Sequence, residues 1–167
     1  IFEAYKKLNI KNVDYILNLQ GDEPAIDEND IINLNNMMIK TNSNIGTMGA
    51  EIKNQNFFSN ENIVKVKTKE KLNDKNFSLA LSFQRNHVLK EKKNIYHHIG
   101  VYAYNIKTLE KFVDLKQTEN EIENKLEQLR AIDNNLKINV TLAKSSPIGV
   151  DTKEDYLALK KIMEYKS

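Results

Sequence analysis

The stretch Leu17-Asn18-Leu19-Gln20-Gly21-Asp22-Glu23-Pro24 decides how this chain is read. Val13 to Leu19 carries alternating and β-branched apolar residues, the pattern of a core strand in an α/β sheet. Gly21 then frees the backbone for a turn, and Asp22 arrives just past the strand's carboxyl end. In open α/β sheets that edge is where ligands bind. A carboxylate held there suits a divalent cation, since Mg²⁺ takes one or two protein carboxylates together with substrate phosphates. Gly-Asp and Glu-Pro are also ordinary loop formers, and taken alone a strand-ending turn is the simpler reading.

A second acid shifts the balance. Ser146-Pro147-Ile148-Gly149-Val150-Asp151-Thr152 follows another apolar strand, Ile138 to Ala143, and opens a helix over Lys153 to Tyr165. Asp151 or Thr152 serves equally well as that helix's N-cap. Asp22 and Asp151 share one metal only if their strands lie close in the sheet, which the sequence leaves open.

Outward from these two motifs, the chain opens with the end of a helix at Ile1 to Leu8. A helix follows over about Asp27 to Lys40, where Ile31, Leu34, Met37 and Met38 form a core-facing stripe. Ile45 to Ile52 reads as a strand. Ile63 to Lys67 and Phe77 to Phe83 read as a β-hairpin with one polar face. Tyr96 to Tyr104 is a strand, Ile106 to Leu115 a helix, and Glu119 to Ile132 one longer helix with Glu and Lys at i, i+4 spacing. Strands alternating with helices around a hairpin predict an α/β fold with an antiparallel insertion.

Within these elements some side chains carry chemistry. His97 and His98 point to opposite strand faces, and Tyr102 falls on the same face as His98. Arg85 follows a strand and offers a planar fork suited to a carboxylate, or is simply a solvated strand-end charge. Leu126 and Leu129 make a core stripe with Glu127 and Gln128 at its margins.

A chain of 167 residues with net charge +2 fits one domain, and its scattered basic residues do not predict a nucleic-acid surface. No apolar run is long enough to span a membrane and no signal peptide is visible, so a cytoplasmic protein without a membrane partner is expected. The absence of Cys removes disulfides and thiolate metal sites.

Five motifs in order carry a specific resemblance: Asn18-Leu19-Gln20-Gly21-Asp22-Glu23-Pro24, Ala80-Leu81-Ser82-Phe83-Gln84-Arg85, His98-Ile99-Gly100-Val101-Tyr102-Ala103-Tyr104, Leu126-Glu127-Gln128-Leu129-Arg130 and Gly149-Val150-Asp151-Thr152. In these the chain resembles the 3-deoxy-D-manno-octulosonate (Kdo) cytidylyltransferases, the CMP-Kdo synthetases. The resemblance implies a three-layer, nucleotide-diphospho-sugar-transferase-like (Rossmann-like) α/β fold. Its mixed sheet would carry the antiparallel hairpin insertion. It also implies CTP and Kdo as substrates, Mg²⁺ on Asp22 and Asp151, and an acid-sugar pocket of Gln20, Arg85, His98, Tyr102, Glu127 and Gln128. A homodimer is implied too, with residues 45–104 including the dimerising hairpin.

The departures are as specific. Members of the family begin with a loop resembling Pro-Ala-Arg-x-x-Ser-x-Arg-Leu-Pro-Gly-Lys that grips the triphosphate, and this chain opens instead with Ile1-Phe2-Glu3-Ala4-Tyr5. The expectation is a single incomplete nucleotidyltransferase domain over 1–167, truncated at its amino terminus and inactive alone. Gln84 stands where the family usually has Ser, and Asn124 where an acid commonly precedes Leu-Glu-Gln-Leu-Arg. A cytidylyltransferase for another acid sugar, such as sialic acid or 8-amino-Kdo, and a noncatalytic dimerisation remnant stay open as alternatives.

Overall fold

The computed structural model describes residues 1–21, 25–85, 93–146 and 153–164. The elements are α1 (Phe2–Leu8), β1 (Tyr15–Asn18), α2 (Glu28–Thr41), β2 (Ile45–Ala50), α3 (Asn56–Ser59), β3 (Lys65–Thr68) and β4 (Ser78–Gln84). They continue with β5 (Ile95–Asn105), α4 (Ile106–Asp114), α5 (Glu119–Asn124), α6 (Gln128–Asp133), β6 (Ile138–Ala143) and α7 (Lys153–Glu164).

The sheet has the order β1-β5-β2-β6-β4-β3, and β3 returns to pair with β5. Five strands therefore close into a ring, with β1 attached outside it on β5. β5 runs antiparallel to β1, β2 and β3, while β2 and β6 are parallel. The carboxyl ends of β1, β2 and β6 and the amino end of β5 consequently share one edge, where Ala143 lies opposite Ala50 and Ala50 opposite His97.

Alternation along β5 builds both sides of the core. Ile99, Val101 and Ala103 pack with Met48 and with Leu34 and Met38 of α2. Tyr102 and Tyr104 face the other way, into a cluster that includes Phe83, Leu109 and Phe112 of α4, and Leu129 of α6. The result is the three-layer arrangement that the family resemblance implies. At Gly46 a Cβ would come within 2.5 Å of Met38 Sδ and 2.7 Å of Phe77 Cζ, so only glycine lets α2 and Phe77 approach the sheet this closely. α2 starts where Asp27 accepts a 2.8 Å bond from the Asn29 amide, and it stops at Asn42, whose φ of 48° is left-handed.

Four expectations are corrected. β1 is a half-buried edge strand rather than a core strand, and Leu19 beyond it is exposed. The helix expected over Glu119 to Ile132 is two short helices, because Lys125 takes a left-handed φ of 52° between them. Lys65, in the hairpin expected to have one polar face, is only 1% exposed, because the carbonyls of Asn60, Ile63 and Arg85 close around its ammonium. The hairpin's Val66, Ala80 and Phe83 are buried within the chain itself, while Leu81 is exposed. Leu81 is the extra residue of a bulge between the pairs Lys67↔Ser82 and Thr68↔Ala80. Helix α3 has no counterpart in the sequence reading.

Candidate functional site

The shared sheet edge is where the two acid motifs leave the sheet. Gln20, two residues past β1, is exposed. Asp22 and Asp151 both lie outside the described residues. β1 and β6 stand three positions apart in the sheet order, roughly 14 Å at the usual strand spacing. Among the described residues no group of three or more His, Cys, Asp or Glu could hold a metal.

A buried carboxylate links the segments that follow these strands. Asp30, in the first turn of α2, is 2% exposed and accepts bonds from the Lys144 amide at 3.0 Å and the Ser145 amide at 3.2 Å. It also accepts from the Ser145 hydroxyl at 2.9 Å. Asp30 thus fastens the start of α2, just after the first acid motif, to the exit of β6, just before the second. At the same edge His97 Nδ1 meets Ser146 Oγ at 2.8 Å, and burial lowers the His97 pKa to about 4.

His98 and Tyr102 are brought together by a break in register. Thr47 pairs with Tyr102 but the next residue, Met48, pairs with Ile99, so Gly100 and Val101 form a two-residue bulge in β5. Four residues of regular strand would separate the Cα atoms of His98 and Tyr102 by roughly 13 Å. With the bulge they stand opposite Gly49 and Thr47, and their rings are 5.4 Å apart. An even insertion preserves the side-chain period of two, which is why both still face the same way.

Thr47 fills the gap the bulge opens. Its hydroxyl lies 2.8 Å from the Val101 carbonyl, 3.2 Å from the Ile99 carbonyl and 3.0 Å from His98 Nε2. One hydroxyl has one proton, and the carbonyls freed by the bulge need it. His98 Nε2 therefore carries the hydrogen and donates to Thr47 Oγ1, leaving Nδ1 as an acceptor. Burial, reinforced by His97, lowers the His98 pKa to about 3, so its ring is neutral at any physiological pH. Tyr102 is 7% exposed and its hydroxyl has no hydrogen-bond partner among the described residues. Burial foremost, then Tyr104 and Glu127, raises its pKa well above the ordinary tyrosine value; the nearby Thr47 hydroxyl opposes the shift without meeting hydrogen-bond geometry.

Arg85 follows directly after β4 and lines a 670 Å³ cleft with Ser82, Gln84, Asn120, Asn124 and Lys125. Its Nη1 reaches the Glu61 and Asn62 carbonyls at 3.4 Å each. Glu127 lines an adjacent 450 Å³ cleft with Glu121 and Arg130, and Lys125 borders both. Glu127 is exposed at the break before α6, and Gln128, the first residue of α6, is half-buried. Arg130 donates to both oxygens of buried Glu121 and lies 5.1 Å over the Phe112 ring. The structure thus joins His98 to Tyr102, sets Glu127 where its charge acts on Tyr102, and places Arg85 in the neighbouring cleft. Thr47, Lys65 and Asp30 are missed by sequence reasoning. The one available signal was Gly100, since glycine inside a strand marks bulges.

A cytidylyltransferase family model matches residues 1–138. The 3-deoxy-manno-octulosonate cytidylyltransferase of Bartonella bacilliformis is 39% identical over 98% of this chain and 67% of its own length. The chain belongs to the 3-deoxy-manno-octulosonate cytidylyltransferase family. The Thermodesulfovibrio yellowstonii enzyme of the same name is 40% identical over 93% of this chain and 64% of its own length. Among solved structures, a CMP:2-keto-3-deoxy-manno-octonic acid synthetase complexed with CTP superposes with TM-score 0.84 at 26% identity, covering 99% of this chain and 67% of that one. A 4-diphosphocytidyl-2C-methyl-D-erythritol synthase from Anaerococcus prevotii shares the fold at 14% identity, TM-score 0.57, over 98% of this chain and 64% of its own. As a member of the 3-deoxy-manno-octulosonate cytidylyltransferase family, this chain has the mixed α/β sheet of nucleotidyltransferases.

Proposed function

We propose that the protein carrying this chain transfers CMP from CTP to Kdo, forming CMP-Kdo and releasing pyrophosphate. The observation that carries this reading is the bulge of β5. It sets a neutral, tautomer-fixed His98 beside a Tyr102 hydroxyl that has no partner among the described residues, and both suit a polyhydroxylated ligand better than a charged one. Arg85 is the cation that takes the sugar's carboxylate, and Gln20, Glu127 and Gln128 take hydroxyls. Held this way, the sugar's anomeric hydroxyl attacks the α-phosphate in line, and orientation supplies much of the acceleration.

Mg²⁺ belongs on Asp22 and Asp151, whose hard carboxylate oxygens are the donors it prefers. They follow strands that end on one sheet edge, and Asp30 fastens the segments between them. Bound there, Mg²⁺ would lower the pKa of the attacking hydroxyl and neutralise charge developing on phosphate. In the full-length protein, Asp22→Asn and Asp151→Asn each lower kcat by about a thousandfold with the far-ultraviolet circular dichroism unchanged. Activity within a few-fold of wild type in either variant, at saturating Mg²⁺, would remove the shared-metal reading. Turnover is measured on Kdo, 8-amino-Kdo and sialic acid in parallel, because these sugars present the same carboxylate to Arg85. Faster CTP consumption with sialic acid than with Kdo would reassign the substrate. The chain alone is not expected to turn over CTP, since it spans about two thirds of the relatives' length.

Among the described residues, a homodimer in which the 45–104 region pairs rests on exposed Leu81, because Val66 and Phe83 are buried within the chain. A full-length protein sedimenting as a monomer at micromolar concentration would end that reading. A cytoplasmic location fits a chain with no helix, among the described residues, long and apolar enough to cross a membrane.

A further inference from the structure

Lys65, 1% exposed, is among the largest fully buried side chains of the described residues. Its ammonium donates to the Asn60 carbonyl at 2.8 Å, the Ile63 carbonyl at 2.7 Å and the Arg85 carbonyl. Three donors meet three acceptors, which makes burial of this charge tolerable. Arg85 supplies the other half of the arrangement, because its guanidinium lies over the carbonyls of Glu61 and Asn62. Four successive carbonyls, residues 60 to 63, thus face two cations: the outer two Lys65, the inner two Arg85.

The two halves are unequal in strength. The Lys65 bonds are short, whereas the Arg85 contacts are at 3.4 Å, near the limit for a hydrogen bond. Lys65 therefore fixes where the Arg85 backbone sits, and among the described residues the guanidinium itself is only lightly held. A carboxylate binding it bidentately forms stronger, charge-assisted bonds than the neutral carbonyls it leaves. Arg85 also stands close enough to lower the proton affinity of Lys65, after burial and against Glu61. An anion on Arg85 relieves that repulsion.

We propose that Lys65 is a positioning residue that aims Arg85 at the carboxylate of the acid sugar, an inference that rests on the reading of Arg85 as the carboxylate clamp. The test is a double-mutant cycle in the full-length protein, reading KM for Kdo and KM for CTP separately. Arg85→Ala raises KM for Kdo about a hundredfold, Lys65→Met about tenfold, and neither moves KM for CTP more than about twofold. In the Arg85→Ala background, Lys65→Met adds nothing further to KM for Kdo. Additive effects of the two substitutions would overturn the proposal, as would equal losses for Kdo and CTP from Lys65→Met. An unchanged KM for Kdo in Arg85→Ala removes the Arg85 reading and this inference with it; a raised one with an unaffected Lys65→Met removes the inference alone. Should Lys65→Met not fold, Lys65→Gln, which keeps two donors, takes its place in the cycle and is read by the same criteria.

Discussion

Lys65 and Tyr102 are buried polar side chains on neighbouring strands, and their surroundings treat them in opposite ways. The ammonium of Lys65 has every donor engaged by a carbonyl, while the hydroxyl of Tyr102 has no partner among the described residues. Leaving a buried hydroxyl unpaired costs about 1–3 kcal/mol, which a fold accepts at few positions. The contrast separates two uses of burial. Full satisfaction makes Lys65 a structural pin, and incomplete satisfaction leaves Tyr102 available to something that arrives later.

The largest expected effect comes from His98, which lies between these two regions against both Phe83 and Tyr102. Its folded-state pKa is about 3, against an ordinary 6.5. Below 6.5 the unfolded chain binds a proton that the folded chain refuses, so stability falls as pH drops from 6.5 toward 3 and is fully present above 6.5. The slope from this ring is about 1.4 kcal/mol per pH unit, and His97, lowered to about 4, adds in the same direction. Urea denaturation of the full-length protein at pH 7.5 and pH 5 measures it. A His98→Gln variant with the wild-type pH slope would show that His98 is not held neutral by its burial.

The smaller effects break the comparison directly. Thr47→Val keeps shape but leaves His98 Nε2 and two bulge carbonyls without their shared partner, and is expected to cost about 2 kcal/mol of stability. Tyr102→Phe removes only the unpartnered hydroxyl and is expected to leave stability unchanged or to raise it by about 1 kcal/mol. Both raise KM for Kdo, read from steady-state rates at saturating CTP. If Tyr102→Phe destabilised as much as Thr47→Val, the hydroxyl would have a structural partner and the contrast with Lys65 would collapse.

Periodicity made the layers legible, because β5 alternates cleanly between two sets of apolar neighbours and α2 carries its stripe at helical spacing. It could not disclose Lys65. In Ile63-Val64-Lys65-Val66-Lys67 alternation sends lysine to water unless carbonyls gather around its ammonium, and one of these, that of Arg85, comes from a segment distant in sequence. The break between α5 and α6 was equally silent, since Lys125 adopts a left-handed conformation that a non-glycine residue seldom announces. At the site, motif order picked out His98 and Tyr102. Their proximity depends on the bulge and on Thr47, which sits in a different strand.

The closed ring of strands also dictates an order of assembly. β2 pairs with β6 from Ile45↔Ile138 onward, and β4 reaches β6 through Ser78↔Val140, so both contacts await a segment made well after either strand. Until β6 emerges, β2 and β4 each present an unpaired edge, the surface most prone to wrong pairing in a nascent chain. Closing so long a loop is slow, and the rate rises with every contact that forms locally beforehand. The β3–β4 hairpin is the local contact at hand. Its quick formation, pinned by one buried lysine, gives the ring a prepared half on which the late strand can land.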